Sequence, residues 1–471
     1  MHTIDTAYID GSFVPTSGTV ADIVNPATEA LIGRVRLADR DDARRAIAAA
    51  RRAQDALAST TKAERVEMLR RLEATVLARS DDIREATIQE YGAPLARARF
   101  VSEYASQAFA YAARTLEDYE FIRPAGRAIV RMEPVGVSAL IAPWNSAAGT
   151  IASKLASALA AACASIIKPS ELSPIQAHIM AEAFHAAELP PGVVNLVVGT
   201  GAEVGDEFSV NPDVARISFT GSTTTGKIVA RAAAGGLKRV GLSLSGKSAS
   251  IILDDADLAV AVPLALDGGF NNNGQACIAG ARILVPRALM PDVIDRVKAH
   301  VAQLCVGDPR NPATTIGPLA NRMQFDRVQH YIRRGLEQGA NLIAGGLGRP
   351  DGLTSGYFAM PTVFADVHNG MDIAREEIFG PVLVLIPYET DDEAASLAND
   401  SLYGLQAYVF SRQRERALRL ADRLHAGSVL VNTIRPDLLA PFGGVKQSGL
   451  GREFGVFGLE SFLEPKSIIV E

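Results

Sequence analysis

The sequence predicts an α/β protein built on parallel, doubly wound sheets, and three observations carry that expectation. From residue 135 onward, apolar runs of strand length alternate with helical segments, a pattern that lays strands parallel and sets ligand loops at their carboxyl ends. The 471 residues leave room for a large core and two or three domains. Gly-rich turns punctuate the alternation, above all residues 268–280, which read GGFNNNGQACIAG.

Composition narrows the function before any motif is considered. The chain is 48% hydrophobic and 21% charged, ordinary for a soluble globular protein. A net charge of −6 with both signs interspersed offers no basic face to nucleic acid or anionic lipid. Cys163, Cys277 and Cys305 form neither a disulfide framework nor a metal-ligand spacing, and the His residues show no ligand spacing, so no metal is expected. The opening residues lack a basic and apolar signal segment. The longest apolar run, near 155–167, is too short and mixed to span a bilayer. A cytoplasmic location without membrane partners is the expectation.

Taken in order, residues 8–35 read as short strands and turns, with Asp10-Gly11 as a hairpin signal and Asn25-Pro26 as a turn. Residues 39–90 become helical, with Asp41-Asp42 placed to start the first helix. A second helical segment covers 95–118, and 121–133 is extended chain broken at Pro124-Ala125-Gly126. The alternation then places strands at 135–142, 164–168, 193–198, 216–220 and 238–243. Helices are expected at 150–162, 175–187, 204–209 and 224–234. It resumes from 248 to about 431, which predicts a second α/β domain, and the tail from 464 is strand-like. Cys163 falls in an Ala-rich helix and Cys305 at the end of an apolar one, both as core or near-core thiols.

Several turns stand where such sheets place ligands. Cys277, with Gly274 and Gly280 nearby, is either a nucleophile, which requires a thiolate and access, or a buried structural thiol. Asn145, after Trp144 and a predicted strand, can donate its amide to a developing negative charge or simply form a turn. Lys168 leaves the end of an apolar strand, and with Glu171 suits ribose hydroxyls or a surface ion pair. Gly221-Ser222 precedes a helix whose first N–H groups favour phosphate. Glu376-Glu377 precedes a Gly-Pro turn. The residues alone leave each of these readings open.

Together and in this order, PWN at 143–145, KPSE at 168–171, FTGST at 219–223, GQAC at 274–277, VGDP at 306–309, EEIFGPV at 376–382 and PFGGVKQSGLGRE at 441–453 resemble the NAD(P)-dependent aldehyde dehydrogenase superfamily. The resemblance covers nearly the whole chain. It implies a Rossmann-like cofactor domain (1–114 and 135–243), an α/β catalytic domain (244–445) and a small β bridging segment (115–134 and 446–471) through which homodimers or homotetramers form. Cys277 is then the nucleophile, forming a thiohemiacetal and later a thioester, with the Asn145 amide and the Cys277 backbone N–H as oxyanion hole. Lys168, Ser170 and Glu171 hold the adenosine ribose, and Glu171 favours NAD over NADP because a carboxylate repels a 2′-phosphate. Gly221 and Ser222 stand at the pyrophosphate, Glu377 at the nicotinamide ribose, and Trp144 and Phe379 near the ring.

The sequence departs from the family in two places. Where most members carry a general-base Glu in Glu-Leu-Gly-Gly-Lys, this chain reads Ser243-Leu244-Ser245-Gly246-Lys247, with Ser243 standing 34 residues before Cys277 as the family spacing requires. Loss of a positioned base costs on the order of 10²–10⁴ in the step it serves, and attack of water on the thioester needs the base more than oxidation does. The alternatives are a substitute base, with Glu453 first, an acyl acceptor such as coenzyme A or an amine, reverse thioester reduction, or a non-catalytic cofactor-binding protein. On the substrate side, Ser146 and Ala147 replace the usual aromatic and Pro, and Thr150 and Ser153 share their helix face. With Asn271 and Phe442 nearby, a wide, polar pocket for a small polar aldehyde is expected. Arg435 is either at its mouth, pairing with an anionic substrate group, or an exposed loop residue.

Overall fold

The computed structural model describes residues 1–469 and contains sheets of eight, seven, three and three strands. Five parallel strands form the heart of the first large sheet: Ser138–Ile141, Ser165–Lys168, Val194–Leu196, Arg216–Thr220 and Arg239–Ser243. All but the last are buried along nearly their whole length, as strands covered by helices on both faces must be. Counted in chain order, they lie across the sheet as 3-2-1-4-5, so the direction of winding reverses between Ser138–Ile141 and Arg216–Thr220. That reversal opens a crevice at the strands' carboxyl ends, the place where doubly wound sheets bind ligands. The predicted α/β class is therefore present, with Rossmann strand order.

The hairpin Thr6–Ile9/Ser12–Pro15 extends one edge of this sheet. Asp10 and Gly11 make its turn with φ of 54° and 80°, the left-handed pair that a two-residue hairpin demands. The first helix, Arg40–Ala58, is capped by Asp39, which exchanges hydrogen bonds with Asp42 in a capping box. The cap thus stands two residues before the Asp41-Asp42 pair. The long helix Leu95–Asp118 has the expected bounds. Cys163 lies beyond the end of the helix Ala147–Ala160, in a buried turn where Ala162 takes a positive φ. Cys305 is half-buried in a loop after the helix Met290–Val301. Neither thiol is helical, because both helices stop before reaching it.

The second large sheet is parallel except where Asn341–Ala344 joins its edge. Here the functional loops lie at the entering ends of strands. Residues 271–280 lead into Arg282–Pro286, and 376–381 lead into its neighbour Val382–Tyr388. The expectation of carboxyl-end loops holds for the first sheet and fails for the second. The reason is that the second sheet faces the first, so its amino-terminal edge closes the crevice.

The last part of the chain serves two sheets. Gly449–Leu450 pairs with Arg239–Ser243 at the edge of the first large sheet. Only Leu463–Ile469 joins Ala128–Pro134 and Ile122–Ala125 in a three-stranded antiparallel ribbon. Residues 470 and 471 of the strand-like tail lie outside the described residues. Among the described residues no helix is long and apolar enough to cross a membrane.

Candidate active site

A cavity of about 540 Å³ lies between the two large sheets. It gathers Trp144, Asn145, Gly221, Ser222 and Ser243 from the first sheet and Cys277, Glu377 and Phe379 from the loops of the second. These residues are brought together from segments far apart in the chain by the meeting of a carboxyl edge with an amino edge.

The loop that carries Cys277 is shaped by two asparagines. Asn272 and Asn273 take φ of 57° and 59°, a left-handed conformation that Asn tolerates better than other side chains. Both side chains are tied down. Asn273 Nδ2 donates to Pro318 O (3.0 Å) and Gly92 O (3.3 Å), while its Oδ1 accepts from Gly317 N (2.8 Å). Asn272 Nδ2 donates to Asn145 O (3.0 Å) and Gln275 O (3.1 Å). Asn145 Nδ2 in turn donates to Gln275 O (2.8 Å), which leaves its second N–H for a ligand. Gly274, also left-handed, has no room for a side chain: a Cβ there would lie 2.2 Å from the Gly380 carbonyl carbon.

The cofactor side fits a dinucleotide. Ser222 caps the helix Thr223–Ala234, its Oγ accepting from Thr225 N (3.2 Å), so the positive end of the helix opens on the crevice. Glu377 is half-buried, and its Oε1 accepts from Gly246 N (2.9 Å), leaving carboxylate lone pairs for hydroxyl groups. Burial pushes the Glu377 carboxyl above its usual range, while Ser245 and the Gly246 N–H oppose the shift. Phe379 holds a strained φ of 63° and meets Trp144 edge-on at 5.4 Å. The strain is held by Gln324 Nε2, which donates to Phe379 O (2.6 Å) and Ile378 O (3.0 Å), and by Arg327 on the Glu377 and Ile378 carbonyls. Lys168, Ser170 and Glu171 stand outside this cavity at the next strand end, where Lys168 Nζ lies 3.5 Å from Glu171 Oε2. Burial lowers the Lys168 ammonium, with Glu171 opposing.

Two expected residues are not where a free role requires them. Glu453 is absent from the cavity lining. Its Oε1 pairs with the buried ammonium of Lys154 and accepts from Ser218 Oγ (3.4 Å), so it is charge-compensated rather than a free base. Arg435 is exposed, with only its backbone N bonded, to Thr433 Oγ1. On the substrate side, Tyr104 packs against the helix that begins after Ser146. Its ring would lie 2.6 Å from a Cβ on Gly149. Thr150 and Ser153 are half-buried on that helix, Tyr104 sits beside Ser153, and Phe442 stacks on Phe454 at 5.4 Å. Asn271 is exposed on the approach.

Sequence reasoning missed Ser245, Gln324, Arg327, Tyr403 and Lys154. Ser245 was visible as a departure from a Gly-Gly pair; the others carry no motif, since their roles arise from packing between distant segments.

The Cys277 thiol is pushed up to about 12, first by burial, then by the negative charges of Glu377 and Glu453. A raised thiol pKa keeps the neutral form, so the resting nucleophile is protonated. Alkylation of Cys277 by iodoacetamide in cofactor-free protein should therefore rise about tenfold per pH unit from neutral to about pH 10. Peptide mapping resolves Cys277 from Cys305, and a plateau near neutral pH would show a thiolate stabilised by groups other than these.

Residues 13–468 match the aldehyde dehydrogenase family. The chain is 46% identical over 465 residues to a 3-succinoylsemialdehyde-pyridine dehydrogenase of a Pseudomonas species, covering 98% of each. It superposes on aldehyde dehydrogenase C of Pseudomonas syringae, solved with NAD+ and octanal, with a TM-score of 0.98 and 43% identity over 99% of this chain and 97% of that one. Betaine aldehyde dehydrogenase of Staphylococcus aureus, solved with NAD+, gives 0.95 and 35% over 99% and 94%. With likeness of this extent added to the geometry around Cys277, the chain belongs to the NAD(P)-dependent aldehyde dehydrogenase family.

Proposed function

We propose that this enzyme oxidises a small polar aldehyde through a covalent adduct on the Cys277 sulfur, with breakdown of that adduct as the slow step. The observation that carries the reading is the convergence of Cys277 and Asn145 on one cavity with Ser243, where, among the described residues, Glu377 is the only carboxylate in the lining. The Cys277 thiol loses its proton to solvent water, and the thiolate so formed attacks the aldehyde carbon as the carbonyl electron pair moves onto the oxygen. The oxygen that gains negative charge meets the free Asn145 N–H and the Cys277 backbone N–H, donors already fixed in place. NAD, held by Trp144, Gly221, Ser222, Glu377 and Phe379, supplies the hydride acceptor that lets the thiohemiacetal become a thioester. Glu171, beside Lys168, favours NAD over NADP.

Release of the acyl group is where Ser243 matters. A serine hydroxyl accepts no proton usefully at neutral pH, and Glu453 is neutralised by Lys154. Water must attack with little help. A better nucleophile such as the coenzyme A thiol needs less activation, and this second reading is favoured by the same lack of a free base. A semialdehyde in the name of the Pseudomonas relative supports a polar substrate. Ile122 and Ile129, 58% and 44% exposed on the ribbon, support assembly into a homodimer or homotetramer there.

A stopped-flow trace of NADH formation with small aldehydes, without and with coenzyme A, tests the reading. The expected result is a burst of about one NADH per site, then a slow phase. Acceleration of that phase by coenzyme A assigns acyl transfer. Fast linear turnover in water would overturn the slow step, and no NADH with any aldehyde would overturn the oxidative reading itself.

A further inference from the structure

Cys277 lines the cofactor cavity on one side, and its other side faces the helix Leu95–Asp118, which contributes nothing to that cavity. Arg97 approaches the nucleophile from this helix. Arg97 Nε donates to Asn272 Oδ1 (3.1 Å), the same asparagine whose amide holds the Asn145 and Gln275 carbonyls. The guanidinium is therefore two hydrogen bonds from the backbone of the Cys277 loop. Its carbon lies 4.9 Å from the centre of the Phe100 ring, and Phe100 stacks on Tyr104 at 6.0 Å.

Among the described residues, Arg97 has no carboxylate partner, and its two terminal nitrogens have no hydrogen-bond acceptor. Arg282, buried in the second sheet, shows the contrast, since it donates to Lys247 O, Asn369 Oδ1, Leu397 O and Ala398 O. Burial lowers the Arg97 guanidinium from its ordinary value, opposed by Tyr91, Cys277 and Tyr104. Arg97 is half-buried, and a partly desolvated cation without a counter-charge is disfavoured. It becomes favourable where an anion arrives from outside, and the planar fork of Arg suits a carboxylate.

We propose that Arg97 binds the carboxylate of an aldehyde acid, so that the preferred substrates are short oxo-acids whose aldehyde carbon reaches Cys277 while the far carboxylate pairs with the two free guanidinium nitrogens. This rests on the reading of Cys277 as nucleophile. It differs from a role for Arg435, whose exposed loop position gives it no fixed distance to the thiol.

The test compares succinic semialdehyde with butanal, and separately measures how well succinate protects Cys277 from iodoacetamide in the full-length protein. In the parent, kcat/KM should favour the anionic aldehyde and succinate should protect. Arg97→Met should cut the anionic-to-neutral ratio on the order of 10- to 100-fold, chiefly through KM, and abolish protection. Arg97→Lys keeps the charge without the fork and should retain part of both, which also guards against misfolding of the Met variant. An equal loss with both aldehydes, or undiminished protection by succinate in Arg97→Met, overturns the proposal. Because protection needs no turnover, it distinguishes failure here from failure of the oxidative reading.

Discussion

Ser243→Glu should raise steady-state aldehyde oxidation in water on the order of 10²–10⁴ while the burst merges into linear turnover. Ser243 ends the strand Arg239–Ser243, is held in register by Thr220 on one side and Gly449 on the other, and lines the cavity that contains Cys277. A longer side chain therefore extends into open space rather than into packed core. Its carboxylate would have no ammonium beside it of the kind that ties Glu453 to Lys154. Ser243→Gln is the control, because it matches the size without the basicity. Stopped-flow traces of both variants decide the matter. Equal behaviour would mean that proton transfer does not limit release of the acyl group.

Gly246→Ala should lower the burst rate constant by at least about 100-fold, the usual consequence of moving a reacting group by an ångström. A Cβ at this position would stand 2.2 Å from the Cys277 carbonyl oxygen, which is backbone and cannot rotate away. The same residue donates its N–H to Glu377 (2.9 Å), so one methyl group disturbs the nucleophile and the cofactor-side carboxylate together. The loss of stability should be modest, about 1–3 kcal/mol as for other overpacked sites. Thermal melts beside the burst measurement separate the two effects. A burst retained at the parent rate would show that the Cys277 loop has slack.

Much of this site was legible in the chain because its parts lie where local rules are strong. The strands 216–220 and 238–243, the helix following Ser222 and the Gly-rich turn at Cys277 each follow from a short pattern of apolar and turn residues. The long helix expected at 95–118 has those bounds in the structure. What escaped were relations between patterns. Lys154 and Glu453 are 299 residues apart, and nothing in either neighbourhood tells that an ammonium will neutralise the carboxylate proposed as base. Nor does anything near Ser146 and Ala147 tell that Tyr104, from another helix, will pack against Gly149. The second sheet turned its amino edge to the crevice, an orientation set by how two cores meet rather than by either one.

The late strands bear on how the protein is made. The ribbon joins residues 128–134 to 463–469, and Gly449–Leu450 closes the edge of a sheet whose other strands end by 243. A growing chain therefore emerges from the ribosome with its nucleophile and cofactor crevice already synthesised but with one sheet edge bare. The sheet edge and the ribbon are completed only once residues 449–469 have been made, because contacts this distant in sequence form late. Translation that stops early thus leaves an unfinished sheet with an open edge, a form suited to capture by chaperones or proteases rather than to catalysis.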